Sequence, residues 1–213
     1  TGTGFCDVAP TFGAAEGAAA STITVSMLVA MGALTSKMID AFLEAAVTPS
    51  GIARMAALFT AQIRRYPEDF QVTEELGWEL SGDGEHDYLY IEKTGANSQW
   101  VAKQLAQFAN VPLKDVGFAG LKDRHAVTRQ WFSVPRWNTP DWSLLEVAGV
   151  RIDRCERHLR KLRRGAHRSN TFAIVLRCSE PLDSDAITHR IGRLSAQGVP
   201  NYYGEQRFGR NGG

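Results

Sequence analysis

The hydrophobic pattern between residues 69 and 111 passes once from strand to helical spacing. The segment "DFQVTEEL" (69 to 76) has strand character, and "HDYLYIEKTG" (86 to 95) is an aromatic and β-branched run between turns. The turn-rich "SGDGE" joins them, so the two are expected to form an antiparallel hairpin or neighbouring strands. In "NSQWVAKQLAQFANV" (97 to 111) capping residues come first, and Trp100 or Val101, Leu105 and Phe108 then follow at helical spacing, which predicts an amphipathic helix. Further on, "QWFSVP" (130 to 135), "GVRIDRCER" (149 to 157) and "TFAIVLRC" (171 to 178) read as strands. A second helix is predicted over 183 to 198, with an Asp/Ser N-cap, apolar Ile187, Ile191 and Leu194, and Gly198 at C′. Strands outnumber helices and do not alternate with them regularly. The pattern therefore predicts an α+β fold with a mixed, largely antiparallel sheet and flanking helices.

Residues 1 to 58 read differently. They are Ala-rich and weakly charged, with one helix predicted from about Ile23 to Ala46, punctuated by Gly32, before the turn "TPSG" (48 to 51). A domain boundary is placed near Leu58, separating an N-terminal extension (1 to 58) from the main domain (59 to 213). No residue from Gly17 to Ser36 is charged, but the run is mostly Ala, Gly, Ser and Thr and no basic segment precedes it, so a soluble helix is expected rather than a membrane span or signal peptide. Thr1 in place of Met and the closing "GRNGG" suggest part of a longer protein.

Composition adds little until charge is mapped along the chain. With 213 residues, 44% hydrophobic and 22% charged, there is enough chain for a real core. Cys6, Cys155 and Cys178 form no C-x-x-C pair, which leaves out a disulfide framework and a thiolate metal site and suits a reducing cytosol. The net charge of +1 conceals "RIDRCERHLRKLRRGAHR" (151 to 168), where eight Lys/Arg face only Asp153 and Glu156. That run is either a solvated face or a nucleic-acid contact; the nearby Asn170 and Phe172 favour RNA, since phosphates attract cations while unstacked bases want an amide and an aromatic face.

Known ligand motifs are missing. Gly117-x-x-Gly120-x-Lys122 lacks P-loop spacing, no G-x-G-x-x-G occurs, the histidines show no metal spacing, and "SGDGEHD" lacks the ligand order of a calcium loop. What remains is Gly120-x-Lys122-Asp123-x-x-Ala126-x-Thr128-x-Gln130, a restrictive pattern around a lone aspartate with no serine or cysteine nucleophile beside it.

This pattern resembles the signature of the TruD family of pseudouridine synthases, and three other segments share the resemblance in order. "RRYPEDFQVTEELGWELSGDGEHDYLYIEKTGANSQWVAKQLAQF" is similar to the family's Pro-Glu-Asp-Phe region, "RKLRRGAHRSNTFAIVLR" to its Lys-Leu-Arg and Gly-Asn-x-Phe region, and "GVPNYYGEQRFG" (198 to 209) to its Pro-Asn-Tyr motif. The resemblance covers residues 60 to 210; residues 1 to 58 match nothing in it.

The resemblance implies isomerisation of a specific uridine in RNA, in bacteria uridine 13 of tRNA, with no cofactor and no metal. It implies a cytoplasmic monomer with tRNA as partner and no membrane. Asp123 matches the catalytic aspartate, acting as nucleophile or base. An aspartate that must stay ionised in a dry pocket needs a nearby cation, for which Arg64 is the candidate and Lys122 the alternative. Asn170 is placed to hydrogen-bond near the aspartate or the base edge. Phe172 matches the stacking aromatic, or else is a core residue of its strand, and Phe70 matches a further aromatic near the site, or else has a packing role. Arg160, Lys161, Arg163, Arg164 and Arg168 are the expected RNA contacts. Gly120 is expected to allow close backbone approach, with Thr128 and Gln130 holding the Asp loop. The family normally continues into an inserted domain and then completes its sheet; the RNA cleft lies between the two domains, so this chain is expected to hold the aspartate but only part of the RNA grip.

Overall fold

The structure, a computed structural model, describes residues 8 to 14, 21 to 30, 61 to 178 and 182 to 197. In chain order the strands are β1 (Val8–Ala14), β2 (Ser21–Ala30), β3 (Ala61–Gln62), β4 (Phe70–Glu75), β5 (His86–Thr94), β6 (Gly117–Phe118), β7 (Val127–Pro135), β8 (Val150–His158) and β9 (Ser169–Cys178). The helices are α1 (Ser98–Ala109) and α2 (Ser184–Gln197). The chain divides into two compact units, residues 64 to 173 and a second made of 1 to 63 with 174 to 213.

In the first unit the strand order is β9, β4, β7, β5, β8. The expected hairpin of the 69 to 76 and 86 to 95 strands does not form, because β7 lies between them. It pairs in parallel with β4 (Gln71 opposite Val127, Thr73 opposite Arg129) and antiparallel with β5 (His86 opposite Pro135, Thr94 opposite Val127). The reason is burial: β7 is buried continuously from Gln130 to Pro135, and a strand covered on both faces belongs at the centre of a sheet.

One face of this sheet is covered by α1. Asn97 caps the helix by accepting a hydrogen bond from the Trp100 amide (2.8 Å), and Asn110 ends it in the left-handed conformation at φ 52°. Val101, Ala102, Leu105, Ala106 and Ala109 pack with Leu89, Ile91, Phe132 and Val134, and burial of a side chain such as Leu105 contributes about 1.5–3 kcal/mol. Trp100 falls outside this stripe and stays 40% exposed. On the other face Leu162 packs with Leu76, Tyr88, Ala119 and Trp131. Here the backbones come close: a Cβ on Gly117 would lie 2.3 Å from the Leu162 carbonyl oxygen and 2.5 Å from Ser133 Oγ. Gly117→Ala is expected to lower stability by about 1–3 kcal/mol, read from denaturant midpoints; an unchanged midpoint would show that the 162 segment can shift freely.

In the second unit β1 and β2 form an antiparallel pair from Val8 opposite Met27 to Ala14 opposite Ser21, and β3 pairs with the end of β9. The predicted helix from Ile23 is corrected over Ile23 to Ala30, which are strand. Thr22, Ile23, Thr24, Val25 and Val29 are β-branched, and their stiff side chains favour extended backbone. The remainder of that predicted helix, the boundary near Leu58 and Gly198 lie outside the described residues. The predicted second helix is present as α2, with the Asp183 carboxylate accepting from the amides of Asp185 (3.1 Å) and Ala186 (2.9 Å).

Candidate active site

Asp123 sits, partly exposed, on the turn between β6 and β7. Four anchors hold that turn. Gln130 donates from Nε2 to the Gly120 carbonyl (3.1 Å) while its Oε1 accepts from Ser98 Oγ (2.6 Å), and Ser98 Oγ in turn accepts from the Lys122 amide (2.9 Å). Arg124 and Gly95 exchange two hydrogen bonds, Arg124 Nε to the Gly95 carbonyl (2.9 Å) and the Gly95 amide to the Arg124 carbonyl (3.1 Å). Beneath them lies Lys93, whose Nζ donates to the carbonyls of Ala96 and Asp123, each at 2.8 Å. Gln130 thus links Gly120 to Ser98. Thr128 lies fully buried on β7, opposite Lys93 on β5, and its Oγ1 has no hydrogen-bond partner among the described residues.

The structure gives Lys122 a different ionic partner from the one considered for it. Its ammonium is 2.6 Å from Glu74 Oε2, both side chains being buried, and Glu74 Oε1 accepts the Trp131 amide at 3.1 Å. The physical reason is that Glu74, on β4, would otherwise be a buried carboxylate without a cation. Gly120 also departs from expectation as far as protein packing goes. A Cβ there would meet Lys122 Nζ at 3.5 Å and His167 Cε1 at 3.6 Å, ordinary contacts, and the close approach is at Gly117 instead.

Beside Lys122 and Gly120 stands His167, which sequence reasoning left among the undifferentiated histidines. Burial is the main cause that holds its imidazole below the usual value; Lys122 adds to this and Glu74 opposes it. Its Nε2 lies 3.0 Å from Asn170 Nδ2, and both His167 Nδ1 and Asn170 Oδ1 are buried with no hydrogen-bond partner among the described residues. Phe172, two residues further along β9, is 4% exposed and packs edge-on against Phe70 at a centroid distance of 6.1 Å. The Arg64 guanidinium lies 4.2 Å over the Phe70 ring, and Arg64 has a left-handed backbone at φ 55°. Arg64, Phe70 and Phe172 are therefore one stack, and Phe172 stands in it as a packed ring rather than an open platform.

The basic run of 151 to 168 splits in two. On β8, Arg151 pairs with Asp153 (2.7 Å) and Glu92 (3.3 Å), Arg154 lies over Tyr90 and Trp131 at 4.7 and 5.1 Å, and Arg157 donates to the Gly84 carbonyl (2.8 Å). These are structural commitments. The loop half differs: Arg160, Lys161, Arg163, Arg164 and Arg168 are exposed and, among the described residues, none pairs with a carboxylate. Tyr88 Oη ties the start of this loop down by donating to the Arg160 carbonyl (2.9 Å), and burial pushes the Tyr88 phenol up to about 12. The Gly165 amide ties its far end to the Ala119 carbonyl (2.7 Å). Between the loop and α1 runs a groove of about 940 Å³ whose lining includes Trp100, Lys103, Lys114, Lys161, Arg163 and Arg164 and, among the described residues, no carboxylate. Arg164 stacks over Phe118 at 3.6 Å, and Lys161 donates to the Lys114 carbonyl.

No helix among the described residues is long and apolar enough to cross a membrane. No group of three or more His, Cys, Asp or Glu among them is arranged to hold a metal ion.

Comparison with known proteins supplies the class. A family model described as "tRNA pseudouridine synthase D (TruD)" matches residues 56 to 212. The tRNA pseudouridine synthase D of Cellvibrio japonicus is 51% identical over 158 residues, 72% of this chain and 47% of that protein. The tRNA pseudouridine synthase D of Pectobacterium atrosepticum is 49% identical over 155 residues, 72% of this chain and 44% of that protein. The crystal structure of a Methanosarcina mazei protein described as a tRNA pseudouridine synthase D superposes with a TM-score of 0.59 at 25% identity, over 71% of this chain and 36% of that one. The mixed sheet is thus of the pseudouridine synthase type. More particularly, the chain belongs to the TruD family, and it spans a little under half the length of the relatives it matches.

Proposed function

We propose that the protein is a tRNA pseudouridine synthase acting at uridine 13, in the cytoplasm and as a monomer, and that Asp123 is its reacting carboxylate. The observation that carries this reading is that Asp123, which the motif resemblance matches to the family's aspartate, stands on a turn braced from β5, α1 and β7. The reaction breaks the bond from N1 of uracil to C1′, turns the base, joins C5 to C1′, and moves a hydrogen from C5 to N1. Nothing is gained or lost overall, so a carboxylate and a shaped site are the working parts. Arg64 is proposed as the cation that favours the ionised Asp123.

A uridine must leave its stack to reach Asp123, at a cost of a few kcal/mol. The buried Asn170 Oδ1 and His167 Nδ1 would supply an acceptor and a second hydrogen-bonding atom for the polar edge of uracil, and the Phe70–Phe172 pair an apolar wall. Release of tritium from tRNA labelled at C5 of uridine tests the reading directly; no release by the complete gene product would overturn it. A second reading, an RNA-binding part without activity of its own, is favoured by the 47% coverage of the Cellvibrio japonicus relative. Absence of tritium release by residues 1 to 213 with retained RNA binding would select it.

RNA binding is expected to weaken steeply with salt. If the loop cations from Arg160 to Arg168 all meet phosphates, log K should fall with log salt at a slope of roughly −3.5. A flat response, measured by fluorescence anisotropy with labelled tRNA, would show that the loop is merely solvated.

A further inference from the structure

We infer that Lys93 is a positioning residue for Asp123, its buried ammonium fixing the turn that carries the carboxylate and setting a positive charge behind it. The inference rests on the reading of Asp123 as the reacting group and goes one residue deeper.

Lys93 is 0% exposed. It occupies the end of β5 opposite Thr128 on β7 and Val150 on β8, where an apolar side chain would fill the space without desolvating a charge. Burying an ammonium is costly unless every hydrogen is used. The Lys93 hydrogens are directed at three carbonyls, those of Ala96 (2.8 Å), Asp123 (2.8 Å) and, more weakly, Lys122 (3.4 Å). Ala96 lies just before α1, and residues 122 and 123 form the catalytic turn, so one side chain joins strand, helix start and turn. No carboxylate makes a hydrogen bond to this ammonium among the described residues.

The ionisable groups acting on Lys93 are Asp123, which attracts it, and Lys122, which opposes its charge. That attraction is mutual. Burial, the largest influence, brings the Lys93 ammonium down to about 8 from its ordinary 10.5. The linkage has a definite sign. A lysine that binds its proton less tightly when folded than when unfolded makes stability rise, not fall, as pH climbs from about 8 to 10.5. Turnover lost in that window by deprotonating Lys93 is therefore not unfolding caused by this group.

The test uses the complete gene product, with kcat from tritium release and tRNA affinity measured separately by anisotropy. Lys93→Gln, which keeps hydrogen-bond donors but no charge, and Lys93→Met, which keeps neither, are both expected to lower kcat, the Met variant by about 10²-fold. Affinity for tRNA should stay within about twofold. Wild-type kcat should also fall above about pH 8, and in the Gln variant that limb should be absent. If both variants turn over within about twofold of wild type, the inference is overturned. If neither variant accumulates as folded protein, the wild-type profile decides: a kcat that is flat from pH 7 to 9.5 overturns it, and an alkaline fall at constant tRNA affinity supports it. Asp123→Asn runs alongside. Should it remain active, the assignment of Asp123 has failed; should it be dead while Lys93→Gln is fully active, only the role of Lys93 has failed.

Discussion

Asp123→Asn is expected to lower kcat for pseudouridine formation by about 10²–10⁴-fold while tRNA affinity changes by no more than about twofold. The amide has nearly the shape of the carboxylate, and the Asp123 backbone carbonyl that Lys93 grips is unaffected by the change. The turn should therefore persist, with its bonds from Gln130 and Ser98 intact. What is lost is the negative charge and the ability to attack or take up a proton. Single-turnover tritium release with saturating enzyme separates this from a binding defect. Residual turnover within tenfold of wild type would remove Asp123 from the chemistry.

The second large effect is on stability. Glu74→Ala leaves the Lys122 ammonium buried without its carboxylate and the Trp131 amide without its acceptor. Breaking a buried ion pair from one side costs about 3–5 kcal/mol. For a chain of this size that corresponds to a fall in Tm of roughly 6–20 °C. The double variant Glu74→Leu/Lys122→Met removes both charges and is expected to recover most of the loss, because the pair's own desolvation cost disappears with it. Calorimetry on the single and double variants measures this. A double variant no more stable than Glu74→Ala would show that the Trp131 bond, not the ion pair, dominates.

Local structure was easier to read than pairing, and pairing easier than the support of the site. The helix of 98 to 109 announced itself through its Asn97 cap and its apolar spacing, both of which concern neighbours along one segment. The β4 and β5 strands were equally visible, but a period of two reports which face a strand buries and not which strand lies beside it. Hence the place of β7 between them could not be seen. The missing charges of residues 21 to 30 drew attention away from their β-branched content, and a strand was read as helix. In the site, Asp123 and Gln130 stood out as polar residues in a restrictive pattern, and Asn170 as an amide beside the basic run. Lys93 and Glu74 did not, because a charged residue in a strand reads as solvent-facing, and only the fold shows that both point inward. His167 was hidden for a related reason: its partners, Asn170 apart, come from β4 and the Asp123 turn.

The bonds that converge around the turn span long stretches of chain. Glu74 reaches Lys122 across 48 residues, and Glu75 receives the Ser169 hydroxyl across 94. Closing such loops must precede any reward from the contacts they bring, which slows folding relative to a helical protein of the same size. Synthesis on the ribosome then imposes an order. The aspartate and its lysine clamp emerge well before β9, so a nascent chain ending near residue 135 already holds Asp123 but lacks His167, Asn170 and the partners of Glu75. Asp123 is thus made early, and His167 and Asn170 join the Gly120 to Lys122 segment only when the chain has been translated as far as β9.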